Sequence, residues 1–244
     1  MTCKYLIRRF LSSLVILLIV FLSVGHFAHS ENESAAAANS IIWHFGCLPQ
    51  KSEVSHTFYL PNKGSSPLAI KEIKSGCSCT SVSKIEKPIE PGDSAAIAVT
   101  FKSGRYRGAV TKTTKVFTDD PVNEIYELTI QANVIKKDEA CGIIKLLPQK
   151  LEWVNDNNII SGDSIINIAN TGPDTLSVSV FHQPENIINK IKLPLILPPD
   201  SETDVPIKPK PANIISFEMK GTSITFAVIG RDTTIVTMPI EIKK

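Results

Sequence analysis

Apolar and polar residues alternate along most of the chain after residue 40. The clearest segments are residues 54–60, 96–101 and 128–134, each enriched in β-branched or aromatic side chains. Alternation with a period of two is typical of strands that bury one face. Turn-forming clusters of Pro, Gly, Asn and Asp separate the segments, and no apolar stripe of helical period extends over three turns. The pattern therefore predicts an all-β protein.

The same series of features occurs twice. Residues 60–70 align with residues 168–178 at a shift of 108, and three further matches in the same order have shifts of 107 to 110. Each copy has about 100 residues and a strand every eight to twelve residues, as in an immunoglobulin-like sandwich. We therefore predict two tandem immunoglobulin-like β-sandwiches, the first half over residues 40–136 and the second half over residues 145–244.

Before these halves, the chain begins like a secretory signal peptide. Lys4, Arg8 and Arg9 precede a long apolar run, and the small residues Ala28 and Ser30 form a cleavage signal. We expect residues 1–30 to be this signal peptide and residues 31–39 to be a flexible spacer.

The alternative for the same segment is an uncleaved membrane anchor. Residues 10–27 are apolar and just long enough to span a bilayer. In either case, the positive charge before the apolar run places the rest of the chain outside the cytoplasm. The expected location is the periplasm or the cell surface.

The charge balance changes the set of expected partners. Without the signal segment, 23 basic residues face 24 acidic ones, so the chain is close to neutral. A near-neutral chain has no electrostatic reason to bind nucleic acid or anionic lipid. The 43% hydrophobic content is sufficient for a packed core. We expect no nucleic-acid partner, and membrane contact only through the N-terminal segment if it is retained.

The first half carries an ordered series of short motifs. They are Phe45-Gly46, Asn62-x-Gly64, Cys77-x-Cys79-Thr80 and Pro91-Gly92. This series resembles a bacterial exported family catalogued as a domain of unknown function, which is similar to the Hydin-like and sperm-protein-like branch of immunoglobulin folds. The resemblance covers residues 41–135 and implies a fold and a compartment, not an activity.

The first half departs from the pattern of that family in two ways. Ser78 replaces the usual glycine between the paired cysteines, and Cys47 follows the Phe-Gly motif. The second half lacks paired cysteines and resembles the family only as a degenerate copy.

Several family positions also have simple structural explanations. We expect Gly64 and Gly92 to occupy turns, where glycine takes a positive φ without strain. The expected core residues of the first half are Trp43, Phe45, Phe58, Leu68, Ile70, Val99 and Phe101.

Four cysteines remain after the signal segment, and all are disulfide candidates: Cys47, Cys77, Cys79 and Cys141. An even number in an exported chain indicates disulfides. Residues two apart on an extended strand have Cα atoms about 6.6 Å apart, so a Cys77–Cys79 bond requires a bend. Cys47 is the alternative partner within the first half, and Cys141 could bridge to another chain.

Two functional roles are also open to the paired cysteines, metal binding and thiol redox chemistry. Cys77 and Cys79 are weak candidates for a soft metal such as Cu(I), with His44 or His56 near in sequence. They are also candidates for thiol redox chemistry, although the Cys-x-x-Cys motif at a helix start is absent.

No known catalytic motif is present in the sequence. The three histidines after the signal segment, His44, His56 and His182, are too scattered to indicate a catalytic base. The basic segment around Tyr106 reads as an exposed connection rather than a nucleic-acid or polysaccharide site. The sequence therefore predicts a non-enzymatic binding or scaffolding protein of the bacterial envelope, without a cofactor, whose partner is another envelope or extracellular protein. The alternative is a thiol-redox or copper-handling protein acting through Cys77 and Cys79.

Overall fold

The computed structural model describes residues 39–83, 85–156, 159–162, 164–210 and 221–243, and every regular element in these ranges is a β-strand. The prediction of an all-β protein is confirmed. The signal peptide and nearly all of the spacer lie outside the described residues. Within the part described, no helix is long and apolar enough to cross a membrane.

Two packed sheets form the first half. Its strands are β1 (Ser40–Pro49), β2 (Glu53–Pro61), β3 (Ile70–Ser75), β4 (Thr80–Val82), β5 (Ser94–Lys102), β6 (Gly108–Thr118) and β7 (Ile125–Ile135). One sheet has the order β3-β6-β7-β1 and the other the order β2-β5-β4. The pairing is antiparallel except between the first and last strands, β1 and β7, which are parallel.

The second half repeats this plan with additional short strands. Its strands are β8 (Ile144–Leu147), β9 (Leu151–Asp156), β10 (Ile159–Ser161), β11 (Ser164–Asn170), β12 (Leu176–His182), β13 (Leu195–Leu197), β14 (Ser201–Ile207), β15 (Ser223–Ile229) and β16 (Thr233–Lys243). The sheets have the orders β13-β12-β15-β16 and β14-β11-β8, and β9 lies parallel to β16. Each half is thus a two-sheet sandwich of the immunoglobulin-like class.

Each sandwich encloses its own group of buried apolar side chains. The first core contains Phe45, Phe58 and Phe101, and the second contains Trp153 and Phe226. Inward and outward positions alternate along the strands, as the hydrophobic pattern predicted. Of the expected core residues of the first half, only Trp43 and Ile70 are partly buried, at the margin of the core.

Strand β1 belongs to both halves. It pairs with β7 along its whole length and meets β16 where Cys47 lies opposite Val236, so a single sheet of ten strands runs through both sandwiches. Residues 40–244 accordingly form one compact unit. A bulge at Gly46, with φ +63°, permits the approach, because a Cβ there would lie 1.9 Å from the carbonyl oxygen of Ile235.

The internal repeat extends to single hydrogen bonds. In the first half, the Asn62 side-chain Nδ2 donates to the carbonyls of Ser66 (2.8 Å) and Ile89 (2.7 Å). In the second half, Asn170 Nδ2 donates to the carbonyls of Asp174 (2.8 Å) and Leu197 (3.2 Å). All three positions of each set are related by a shift of 108. These buried asparagines fix the turns that close each sandwich.

The two predicted turn glycines differ in their geometry. Gly92 has a φ of +84°, as expected for a tight turn. Gly64 is not in the left-handed region, so the expected reason for glycine there is wrong. Its N–H donates to Asn62 Oδ1 (2.9 Å), and a Cβ would lie 3.2 Å from the same oxygen. Close approach to the buried asparagine, rather than backbone conformation, accounts for this glycine.

Candidate functional site

A buried disulfide ties the two halves together. Cys47 and Cys141 are bonded with a Cα–Cα distance of 5.9 Å, and each is 5% exposed. The expectation that Cys47 would pair with Cys77 or Cys79 is wrong, and so is the idea that Cys141 bridges to another chain. The physical reason is the bulge at Gly46, after which the Cys47 side chain packs in the second core while its neighbours Phe45 and Leu48 pack in the first.

The Cys77–Cys79 pair forms the second disulfide. Its Cα atoms are 5.2 Å apart, which is closer than in an extended strand. The chain achieves this by leaving β3 in a turn, closed by a hydrogen bond from the Thr80 N–H to the Cys77 carbonyl (3.3 Å). Both cysteines are half-buried, whereas Ser78 between them is exposed. The expected bend is therefore present, and both cysteines are partly accessible to solvent.

Two hydroxyl groups surround this disulfide. Thr80 Oγ1 lies 3.5 Å from Cys77 Sγ and 3.9 Å from Cys79 Sγ. The hydroxyl of Tyr106 donates to Cys79 Sγ at 3.7 Å. A hydroxyl donor stabilises a thiolate more than a disulfide sulfur, because the thiolate carries a full negative charge. The arrangement can therefore stabilise Cys79 as the sulfur that leaves when the bond opens.

Tyr106 comes from the basic connection between β5 and β6. Its ring lies under Lys112, whose Nζ is 4.5 Å from the ring centre. The carbonyls of Arg105 and Tyr106 accept hydrogen bonds from the Gln50 side-chain Nε2. Sequence reasoning assigned this segment to an exposed connection and did not connect it with the cysteines. The only available signal was an aromatic residue between two arginines in a loop framed by Gly104 and Gly108.

In the ranges that the structure describes, the side-chain contacts of this disulfide are with Thr80 and Tyr106, and no histidine is among them. His44 is exposed on β1, whereas His56 on β2 stacks on Trp43 with ring centres 3.7 Å apart. Burial, and secondarily the proximity of His182, lowers the pKa of His56 to about 4. Among the described residues, no three His, Cys, Asp or Glu side chains converge in a way that would hold a metal.

An aromatic seam joins the two halves at Trp43. Its ring stacks on His56 of the first half and on Phe181 of the second, with ring centres 5.5 Å apart in the latter pair. His182 meets the same indole edge-on at 5.8 Å. The indole Nε1 of Trp43 is buried and makes no hydrogen bond within the described part of the chain. The seam thus places the two lowered-pKa histidines on the boundary between the sandwiches.

Comparison with known proteins supports the resemblance read from the motifs. Residues 37–134 match the family model described as "Protein of unknown function (DUF1573)". The match covers the first half and confirms the predicted resemblance there. A search of curated proteins finds no match.

Several solved structures are similar to the chain at low identity. A protein of unknown function from Porphyromonas gingivalis W83 is 11% identical over 81% of this chain and 95% of that chain, with a TM-score of 0.31. SSP-19, an MSP-domain protein like family member in Caenorhabditis elegans, is 17% identical over 36% and 94% of the two chains, with a TM-score of 0.28. The YadV chaperone is 14% identical over 82% and 95%, with a TM-score of 0.28.

Proposed function

We propose that the protein is an exported binding or scaffolding module of the bacterial envelope, which holds another envelope or extracellular protein through surface contacts. The observation that carries this proposal is an exposed isoleucine pair on the second half. Ile196 and Ile229 lie opposite Ser177 on its two neighbouring strands and are 64% and 50% exposed. Adjacent large apolar side chains on a solvent-facing sheet favour contact with another protein. The two disulfides support export to an oxidising compartment.

Crosslinking in intact envelopes tests this function. The Ile196→Lys/Ile229→Lys variant should lose the crosslinked partner that the unchanged protein captures. Val122→Lys is the matched control, because Val122 is 84% exposed in the first half and accepts the same change at no packing cost. Absence of any specific partner, or equal loss in the control, would contradict the proposal.

A second candidate function is thiol–disulfide exchange at Cys77–Cys79. It is favoured by the partial solvent exposure of both cysteines and by the hydroxyls of Thr80 and Tyr106 beside the bond. In the first step, a thiolate of a reduced exported protein attacks Cys77 Sγ, a mixed disulfide forms, and Cys79 leaves as a thiolate. A second thiolate of that protein then attacks the mixed disulfide and releases Cys77. The client is oxidised to a disulfide, and the Cys77–Cys79 pair is reduced.

Reaction with a small dithiol separates this candidate from a purely structural bond. Cys77–Cys79 should be reduced well before the buried Cys47–Cys141 bond, and Tyr106→Phe should slow that reduction several-fold. Tyr59→Phe is the control, because Tyr59 is exposed on β2. Equal rates for both bonds would contradict exchange chemistry. Titration of the reduced protein with Cu(I) tests the copper alternative at the same two sulfurs.

We also propose that the halves are two domains, over residues 40–136 and 145–244. Each half encloses its own buried core, which supports this division. The shared sheet and the Cys47–Cys141 bond join the two domains to each other. A fragment of residues 31–138 with Cys47→Ala should show a β-type far-ultraviolet spectrum and a cooperative thermal transition. A disordered or helical fragment would contradict independent folding.

A further inference from the structure

The connection between β5 and β6 brings positive charge to the Cys77–Cys79 disulfide. Residues 102–112 contain no acidic residue and four basic ones. The basic residues are Lys102, Arg105, Arg107 and Lys112. Lys102 pairs with Glu53 at 3.3 Å, and Arg107 pairs with Glu139 at 3.8 Å. The connection and its ion-pair partners therefore keep two positive charges in excess, on Arg105 and Lys112.

Tyr106 places one of these two charges beside the disulfide. The Nζ of Lys112 lies 4.5 Å from the centre of the tyrosine ring, and the tyrosine hydroxyl donates to Cys79 Sγ at 3.7 Å. One aromatic ring and one hydrogen bond thus separate the ammonium group from the sulfur. This separation is comparable to the Debye length of about 8–10 Å at moderate salt, so the charge of Lys112 acts on Cys79 with only partial screening.

Hydrogen bonds outside the disulfide hold the connection in position. The Gln50 side-chain Nε2 donates to the carbonyls of Arg105 (3.2 Å) and Tyr106 (2.8 Å). The Tyr106 N–H donates to the carbonyl of Ser103 (3.0 Å), and Ser103 Oγ donates to the carbonyl of Pro49 (2.9 Å). Because these bonds do not involve the cysteines, the positive charge is in place before a thiol reacts with the disulfide.

Positive charge at this position favours particular reactants. A thiolate that attacks Cys77 Sγ is negatively charged, and Cys79 leaves as a second thiolate. Reactive cysteines are typically found in partly exposed surroundings with positive charge. Such surroundings also raise the local concentration of anionic reactants. A thiol that has carboxylates beside it should therefore react faster here than a neutral thiol of equal nucleophilicity.

We propose that Cys77–Cys79 preferentially oxidises a dithiol segment of an exported protein in which acidic residues flank the two cysteines. Arg105 and Lys112 attract the carboxylates of that segment. One client thiolate attacks Cys77 Sγ, the Cys77–Cys79 bond breaks, and Cys79 leaves as a thiolate. The second client thiolate attacks the client sulfur of the mixed disulfide and releases Cys77.

Two electrons thus pass from the client to the Cys77–Cys79 pair, and a client disulfide forms as the Cys77–Cys79 bond is lost. The two protons that the client thiols lose are matched by the two that the reduced pair takes up. The inference rests on the second candidate function and names the class of substrate for that site.

Three dithiol peptides serve as probes: Glu-Cys-Gly-Gly-Cys-Glu and its counterparts with Gln or Lys in place of Glu. Acidic neighbours lower the thiolate fraction of a peptide, so its thiols are titrated and rates are compared per thiolate. Reduction of each disulfide is followed by alkylation of the new thiols and mass spectrometry. At low salt, the Glu peptide should reduce Cys77–Cys79 about fivefold faster than the Gln peptide, and the Lys peptide should be slowest. Added salt should diminish these differences.

The Arg105→Gln/Lys112→Gln variant tests the source of the preference. It should bring the ratio of the Glu-peptide rate to the Gln-peptide rate close to one, whereas Arg105→Lys/Lys112→Arg should preserve the ratio. The matched control is Lys63→Gln/Lys87→Gln, which removes the same charge from exposed positions of the first half. Lys63 follows Asn62, whose N–H bonds to Asp93 at the other end of β5, so the control should keep the full ratio.

The outcomes separate this inference from the exchange function on which it rests. Equal rates per thiolate for the Glu and Gln peptides at low salt would overturn the acidic preference alone, as would an unchanged ratio in Arg105→Gln/Lys112→Gln. If no peptide reduces Cys77–Cys79 faster than the buried Cys47–Cys141 bond, the exchange function fails and the inference fails with it.

Discussion

Cys79 and Ile187 occupy the same position in the two halves, yet their side chains meet different environments. Both carbonyls accept a backbone hydrogen bond from a lysine 23 residues later, Lys102 and Lys210. Cys79 is half-buried and bonded to Cys77, whereas Ile187 is 5% exposed and packs in the second core. The backbone frame is therefore kept, while the loop that it holds carries a disulfide in one half and closes over the core in the other.

Trp43 and Trp153 also occupy corresponding positions of the two halves, and their environments differ in the same way. Trp153 is 1% exposed, and its Nε1 donates to Ser164 Oγ (2.9 Å) within the second half. Trp43 is only partly buried and stacks between His56 and Phe181 on the boundary of the halves. A core position in one copy thus serves in the other copy to join the two sandwiches. The differences between the halves, rather than their shared frame, locate the surfaces with specific roles.

The largest difference in stability is expected between the two disulfides. Cys47→Ala/Cys141→Ala opens a link between residues 94 apart in sequence. The loop-closure model predicts a loss of about 4–5 kcal/mol in the free energy of unfolding. Urea denaturation measures it, with the Cys77→Ala/Cys79→Ala protein as the control. Equal shifts of the two variants would contradict the view that the long-range bond is the main staple.

The buried asparagines should be equally important in the two halves. Asn62→Ala and Asn170→Ala each leave buried carbonyls without their donor, which should cost about 2–3 kcal/mol. Asn167→Ala is the control, because its side-chain bond to Asp204 is exposed, and a change below about 0.5 kcal/mol is expected. Thermal or urea unfolding of the three variants provides the comparison. A large loss of stability for only one of these two variants would mean that the buried asparagine stabilises only one half.

Much of this frame could be predicted from the sequence, because the information is local. Alternation predicted the strands, and the Asn-x-Gly motif predicted the repeated turn around Asn62 and Asn170. The partner of Cys47 could not be predicted, since it depends on the bulge at Gly46 and on the contact of β1 with β16. The contact of Tyr106 with Cys79 could not be predicted either, because the sequence shows this tyrosine only as part of a basic loop.

The aromatic seam should make stability depend on pH. The pKa of His56 is about 4 in the folded protein, against 6.5 for an ordinary histidine, chiefly because of burial and then because of His182. The unfolded state therefore binds protons more readily between these values. The free energy of unfolding should fall as the pH is lowered from about 6.5 to 4, by about 2 kcal/mol after allowance for solvent screening.

Urea denaturation across this pH range, compared with His56→Phe, measures the contribution of His56. The phenyl ring keeps the stack on Trp43 but does not titrate, so the variant should show a flatter profile. His44→Gln is the control, because His44 is exposed on β1. An unchanged slope in His56→Phe would show that the acid sensitivity arises elsewhere.

The smallest effect on stability is expected at the Cys77–Cys79 bond. Because it joins residues two apart, loop closure assigns it about 1.5 kcal/mol at most. Cys77→Ala/Cys79→Ala should therefore unfold near the urea midpoint of the unchanged protein. The sandwich does not need this bond for its frame, since the second half has Glu185 and Ile187 at the same positions. A loss as large as that of the Cys47–Cys141 variant would mean that the bond is a structural staple, and it would remove the main reason to assign exchange chemistry to this loop.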